Sequence, residues 1–158
     1  MCPGGGDRTK RHNLVRNATF HFCSSAGLNA ELETPGLLRP RPSEGALPED
    51  GVRRDSPEAR RPADVYIPRW RRGAPMALDF AVTSGLRSPA SITATLRNAD
   101  ATTRDYEDVK TSYLDTRSAC AGDGFSFTSM VAEAVGGGWG PSAVKVFIEL
   151  ARTKSLMT

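Results

Sequence analysis

Residues 62–83 read Pro-Ala-Asp-Val-Tyr-Ile-Pro-Arg-Trp-Arg-Arg-Gly-Ala-Pro-Met-Ala-Leu-Asp-Phe-Ala-Val-Thr, and the fold turns on how this stretch is divided. Ala63–Ile67 and Met76–Thr83 are runs of apolar, β-branched and aromatic side chains, which suit a pleated, half-buried surface, so both are read as strands. The connector Pro68–Pro75 has hairpin length, which predicts that the strands lie antiparallel and adjacent. Each strand carries one aspartate at a comparable place, Asp64 and Asp79.

Outward from this pair, Leu14, Ala18, Phe22 and Ala26 recur every four residues with Val15 and Cys23 beside them, which predicts a helix over Thr9–Ala26 that Gly27 stops. Leu28–Leu38, broken by Pro35 and Gly36, reads as a brief strand and turn. Residues 39–61 hold Pro40, Pro42, Pro48 and Pro57 among scattered charges and almost no large apolar side chain, the composition of a loop or disordered insertion. On the other side, Ser84–Asp100 reads as a polar connector. A helix over Thr102–Ala119 follows, with Tyr106, Val109, Tyr113 and Cys120 assigned to its buried face, and then a strand over Phe125–Val135. Gly136–Gly140 breaks the chain, and Pro141 opens a last helix with Val144, Phe147, Ile148 and Leu150 as its apolar positions. The expected order is α-β-β-β-α-β-α, a mixed α/β sheet flanked by helices.

A length of 158 residues suits one domain, and 39% hydrophobic with 25% charged residues is near globular usage. No apolar run reaches the ~18 residues that span a bilayer, and the first residues hold no signal-type apolar stretch, so an intracellular protein without a membrane partner is expected. Three scattered cysteines without a CxxC pair indicate neither a disulfide framework nor a complete zinc site. The net charge of +3 matters less than its make-up, 17 arginines against four lysines. Arginine's planar fork matches phosphate oxygens, whereas chemistry that needs an ammonium has only Lys10, Lys110, Lys145 and Lys154 to draw on.

Two carboxylates converging on neighbouring strands are what a hard divalent cation needs, because Mg²⁺ takes one or two carboxylates and completes its shell with water and phosphate oxygens. Asp64 and Asp79 are therefore candidate metal ligands; the alternative is that each acid pairs with a nearby arginine such as Arg69 or Arg72. Arg69, Trp70, Arg71 and Arg72 combine cations with an aromatic ring, a pattern that grips and stacks on nucleic acid, although Trp70 could equally cap the sheet edge. Arg11, His12 and Asn13 lie near the start of the first helix, placed either to hold a phosphate or to cap the helix.

The runs Asp7–Asn13, Arg61-Pro62-Ala63-Asp64, Leu78–Val82 and Lys110–Tyr113 resemble the restriction-like endonuclease domain of early-branching non-LTR retrotransposon proteins, a branch of the wider PD-(D/E)XK nuclease fold. The resemblance implies a restriction-endonuclease-like sheet and a metal-dependent DNA endonuclease using Mg²⁺ or Mn²⁺. It makes Asp64 and Asp79 the metal ligands and Lys110 the group that positions water or offsets transition-state charge. Glu33, ahead of Glu31, becomes the candidate third acid. It further implies DNA as partner, an upstream reverse transcriptase region in a longer protein, and a nuclear setting. Residues 1–8 would then be a flexible remnant behind an upstream zinc knuckle whose last ligand is Cys2, and 9–158 the domain, with the insertion at 39–61. Two departures stand out: Ala81 occupies the place where the wider fold has a lysine, and Ala63 separates Pro62 from Asp64. Ala81 favours an alternative reading, a nucleic-acid-binding module that has lost catalysis, while the Pro-rich insertion at 39–61 supports a third, a non-functional relic.

Overall fold

The structure, a computed structural model, describes residues 6–38 and 62–156. The expected insertion at 39–61 and the remnant's residues 1–5 lie outside the described residues. Helix α1 (Gly6–Ser25) leads to the short strand β1 (Glu31–Leu32), then β2 (Val65–Ile67) and β3 (Met76–Thr83). Helices α2 (Pro89–Arg97), α3 (Ala101–Ser112) and α4 (Thr116–Gly122) follow, then β4 (Ser126–Glu133) and α5 (Pro141–Ser155). The result is a mixed α/β architecture whose four strands lie in the order β1-β2-β3-β4. β1–β2 and β2–β3 are antiparallel, as the hairpin reading required, and β3–β4 are parallel, joined by the helical crossover that a parallel pair demands.

Strand β3 is central, and its two faces pack differently. Met76, Leu78 and Phe80 face Cys23 of α1 and Ala143, Val146 and Leu150 of α5 in the larger core. Ala77 belongs to a second cluster with Cys120 of α4, Phe125 and Phe127. Alternation along the strand puts Asp79 on the same face as Ala77 and Ala81, the side covered by α3 and α4. The other end of the sheet is tied by Glu133, whose carboxylate accepts N–H bonds from Gly85 at 3.0 Å and Val135 at 2.8 Å and also from Gly136. It thus joins the loops that leave β3 and β4.

Several expectations are corrected. Residues 6–8, assigned to a flexible remnant, form the first turn of α1. The stripe of α1 is rotated: Leu14 is 69% exposed, while Thr19, Cys23 and Ala26 are buried. Thr19 tolerates burial because its hydroxyl donates back to the Val15 carbonyl. Gly27, at φ +67°, ends the helix as expected, with Leu28 N–H returning to the Cys23 carbonyl. The supposed connector Ser84–Asp100 contains α2, whose start follows from Ser88 accepting the Ser91 N–H and from Pro89 in the first turn. The single helix over 102–119 is broken at Tyr113–Asp115, where Asp115 turns left-handed at φ +52°. Val109 and Tyr113 are consequently exposed, and α3 buries Thr102, Thr103 and Glu107 instead. In α5 the buried positions are Ala143, Val146 and Leu150, with Val144 and Ile148 exposed.

The buried Glu107 explains how α5 begins. Its carboxylate accepts the Ser142 N–H at 3.1 Å and the Ser142 hydroxyl at 3.0 Å. A charge from α3 thereby satisfies the N-terminus of α5, whose own N-cap, Gly140, has no side chain to do so. Glycine there leaves room for the carboxylate, since a Cβ at residue 140 would lie 2.1 Å from Glu107 Oε1 and displace it.

Candidate active site

The acid pair is built by the way β2 begins. The ladder of β2 on β3 ends at Val65↔Leu78, and Asp64, the residue just ahead of β2, lies beside the Leu78–Phe80 stretch, close enough for its charge to act on the Asp79 carboxyl. Asp64 is the last point of contact before the strand gives out. Its N–H donates to the Leu78 carbonyl at 2.9 Å, and its Oδ2 accepts the Phe80 N–H at 2.7 Å. The side chain thus stands in for the backbone carbonyl that a longer β2 would have supplied, which fixes the carboxylate beside the strand position that follows Asp79.

Two helices supply the partners of the acids. From α1, His12 Nε2 lies 3.1 Å from Asp64 Oδ2 while its Nδ1 lies 3.3 Å from Asn13 Oδ1. The ring can donate to both oxygens only when doubly protonated. From α3, Lys110 Nζ lies 2.7 Å from Asp79 Oδ2. Burial pushes the Asp79 carboxyl above its ordinary range, Lys110 pulls it down and the neighbouring Asp64 charge raises it again, leaving it raised. A cation bound beside it would favour the charged form that burial disfavours. Among the described residues no group of three His, Cys, Asp or Glu side chains is arranged to hold a metal by itself. Two carboxylates nonetheless meet the requirement of Mg²⁺, whose remaining ligands are waters and substrate oxygens. No hydrogen bond among the described residues reaches Asp64 Oδ1 or Asp79 Oδ1, so each acid keeps an oxygen for such an ion.

The other candidates are placed as follows. The Glu33 N–H donates to the Asp64 carbonyl at 3.0 Å, so its backbone adjoins the pair, but its carboxylate is ion-paired to Arg16. Arg11 pairs with Asp7 one turn back at 2.7 Å. Asn13 steadies His12. Arg69, Arg71 and Arg72 are exposed on the β2–β3 turn, and Trp70 packs against the larger core. Asp79 lies three residues into β3 from Met76, so about 10 Å of strand separates the turn from the acids.

Sequence reasoning placed His12 with phosphate contacts rather than on Asp64, because a contact across 52 residues has no local signal. Glu107 and Glu133 were missed for the same reason: each serves backbone groups of another element. No helix among the described residues is long and apolar enough to cross a membrane. No family model, curated protein or solved structure matches this chain.

Proposed function

We propose that the chain is a metal-dependent phosphodiesterase of endonuclease type, with a restriction-endonuclease-like arrangement of its sheet, acting on DNA. The observation that carries the reading is the convergence of four side chains from four separate segments: Asp64 just ahead of β2 with its Oδ2 on the Phe80 N–H, Asp79 on β3, His12 on the first acid and Lys110 on the second. A structural ion pair needs two such residues, not two acids close together, one held by a histidine and the other by a lysine.

Asp64 and Asp79 are the residues that would hold a Mg²⁺ or Mn²⁺ ion, which would supply Lewis-acid charge for the phosphoryl oxygens and for a water. His12 and the Phe80 N–H keep the Asp64 carboxylate in one orientation, so that little reorganisation remains when substrate arrives. Lys110 delivers an ammonium to the same place from α3, positioned to neutralise a non-bridging oxygen as charge develops in the transition state. This supplies from a helix the cation that Ala81, buried on the Asp79 strand, cannot.

Ala81 also supports a second reading, a nucleic-acid-binding module without catalysis. Incubation with supercoiled plasmid and Mg²⁺ or Mn²⁺, alongside Asp79→Ala, decides between them. Metal-dependent nicking that the variant lacks supports the nuclease. Absence of nicking, or equal nicking by the variant, sinks it.

A further inference from the structure

The strand β4 is the outer strand of the sheet, and its edge is closed over only half its length. Val131 accepts the Gly140 N–H and Glu133 donates to the Gly138 carbonyl, so the second half is covered. Strand alternation puts the N–H and C=O of Phe127 and Ser129 on that same outward side, where among the described residues no backbone group meets them. Over this open half lies a cleft of 390 Å³, bounded by α5 on one side, by Thr111 and Arg117 on the other, and by Trp70 and Arg71 at one end.

The lining of the cleft is cationic. Arg117 and Lys145 have no ion-pair partner among the described residues, and Arg71 shares Glu149 at 3.7 Å with Arg152 at 2.7 Å. Glu149, the carboxylate on the lining, is thus already neutralised. The α5 N-terminus contributes nothing, since Glu107 occupies it. Unpaired cations gathered at one concavity repel one another, and an anion stabilises them. The cleft also adjoins the acid pair. Ser129 is the β4 partner of Asp79 in register, one strand spacing of about 4.8 Å away. Its hydroxyl lies 3.3 Å from that of Thr111, the residue after Lys110. The cleft therefore runs from the arginine turn at Met76 and Ser126 to the edge of the Asp79–Lys110 pair, the same ~10 Å that separates them along β3.

We infer that this cleft is a phosphodiester subsite: Arg117, Lys145 and Arg71, with the edge N–H groups of Phe127 and Ser129, hold the nucleic-acid backbone next to the acids. The inference rests on the nuclease reading for its choice of ligand but concerns different residues. The cleft reads backbone and not bases, so the ligand is shared by DNA and RNA, and the test carries both.

The test is fluorescence anisotropy of a labelled 20-nucleotide DNA, single-stranded and duplex, and an RNA of the same sequence, in EDTA across a salt series. The full chain and the double variant Arg117→Gln, Lys145→Gln are compared, with thermal melts confirming that each is folded. Losing two phosphate contacts lowers the slope of log K against log salt by about 1.4–1.8 and weakens binding by roughly tenfold or more at low salt. Loss of DNA binding alone, or of RNA binding alone, identifies the natural backbone and upholds the subsite. A folded double variant that keeps the wild-type slope and affinity overturns the subsite while plasmid nicking can still stand. Nicking absent from a wild type whose binding depends on Arg117 and Lys145 removes the nuclease reading and leaves the subsite.

Discussion

Introducing a methyl group at Gly140 tests the account of how α5 is anchored. Gly140 has φ −62° and ψ 155°, values that alanine adopts without strain, so any cost of Gly140→Ala comes from what the Cβ meets. It meets Glu107, 2.1 Å from Oε1 and 2.7 Å from the carboxyl carbon. An ordinary carbon–oxygen contact is about 3.3 Å, so the carboxylate must retreat by roughly 1.2 Å. Its bonds to the Ser142 N–H and hydroxyl, now 3.1 and 3.0 Å, would open to about 4.2 Å and be lost. Two hydrogen bonds to a charged acceptor contribute about 3 kcal/mol, with a further ~0.5–1 kcal/mol from the helix terminus. Gly140→Ala should therefore cost about 3–4 kcal/mol, near the cost of Glu107→Ala itself. In the Glu107→Ala background the same change should be neutral or stabilising by ~0.5 kcal/mol, because it then only restricts the unfolded chain. Urea denaturation of the four proteins, followed by tryptophan fluorescence and far-UV circular dichroism, closes the cycle. A cost below ~1 kcal/mol for Gly140→Ala alone, or an equal cost in both backgrounds, would refute the trans-cap.

Asp79→Asn should abolish metal-dependent nicking while holding or raising the melting temperature, since the buried carboxyl is disfavoured in its charged form despite Lys110; a melting temperature lowered by more than ~3 °C would show that the ion pair is a net stabiliser. Asp64→Asn keeps an acceptor for the Phe80 N–H, so it should lose nicking by at least ~100-fold with stability within ~1 kcal/mol, whereas Asp64→Ala should cost about 1–3 kcal/mol in denaturation because that N–H is orphaned. Burial raises the Glu133 carboxyl, but the Gly136, Gly85, Val135 and Gly137 N–H groups outweigh it and leave it below its ordinary value of 4.5. Its stabilisation is thus complete above that pH and fades as pH falls through the lowered value. Glu133→Gln should be less stable at pH 7 by about 1–2 kcal/mol, and melts from pH 7 to 3 should show that deficit shrinking below about pH 4.5. Ser88→Ala should lower stability by about 1 kcal/mol through loss of the α2 cap, measured by the same denaturation.

Residues 62–83 already contained the centre of the fold. Met76–Thr83, eight residues of which six are apolar with one aspartate and one threonine, is what a central strand buried on both faces looks like, and a hairpin-length turn forces an antiparallel neighbour, so Asp64 and Asp79 could be placed near one another from the chain alone. Local chemistry was equally legible at the Gly27 stop and the Pro141 start, because these signals act within one turn. Helix faces were less legible: α1 and α5 are each rotated from the apolar stripe, since a self-bonded threonine and small alanines allow closer approach to the sheet than Leu14 or Val144 would.

Tertiary structure alone decided what surrounds the acids. His12 reaches Asp64 across 52 residues and Lys110 reaches Asp79 across 31, because the sheet brings α1 and α3 to the same strands, and neither contact leaves a spacing that the chain records. The same holds for Glu107 of α3 at the start of α5, and for the cleft, which exists because the first half of the outer edge of β4 has no neighbour among the described residues. Sequence determines the residue types and the strands that carry them. The partners of a buried charge depend on which elements the packed core brings alongside, and that is a property of the whole fold.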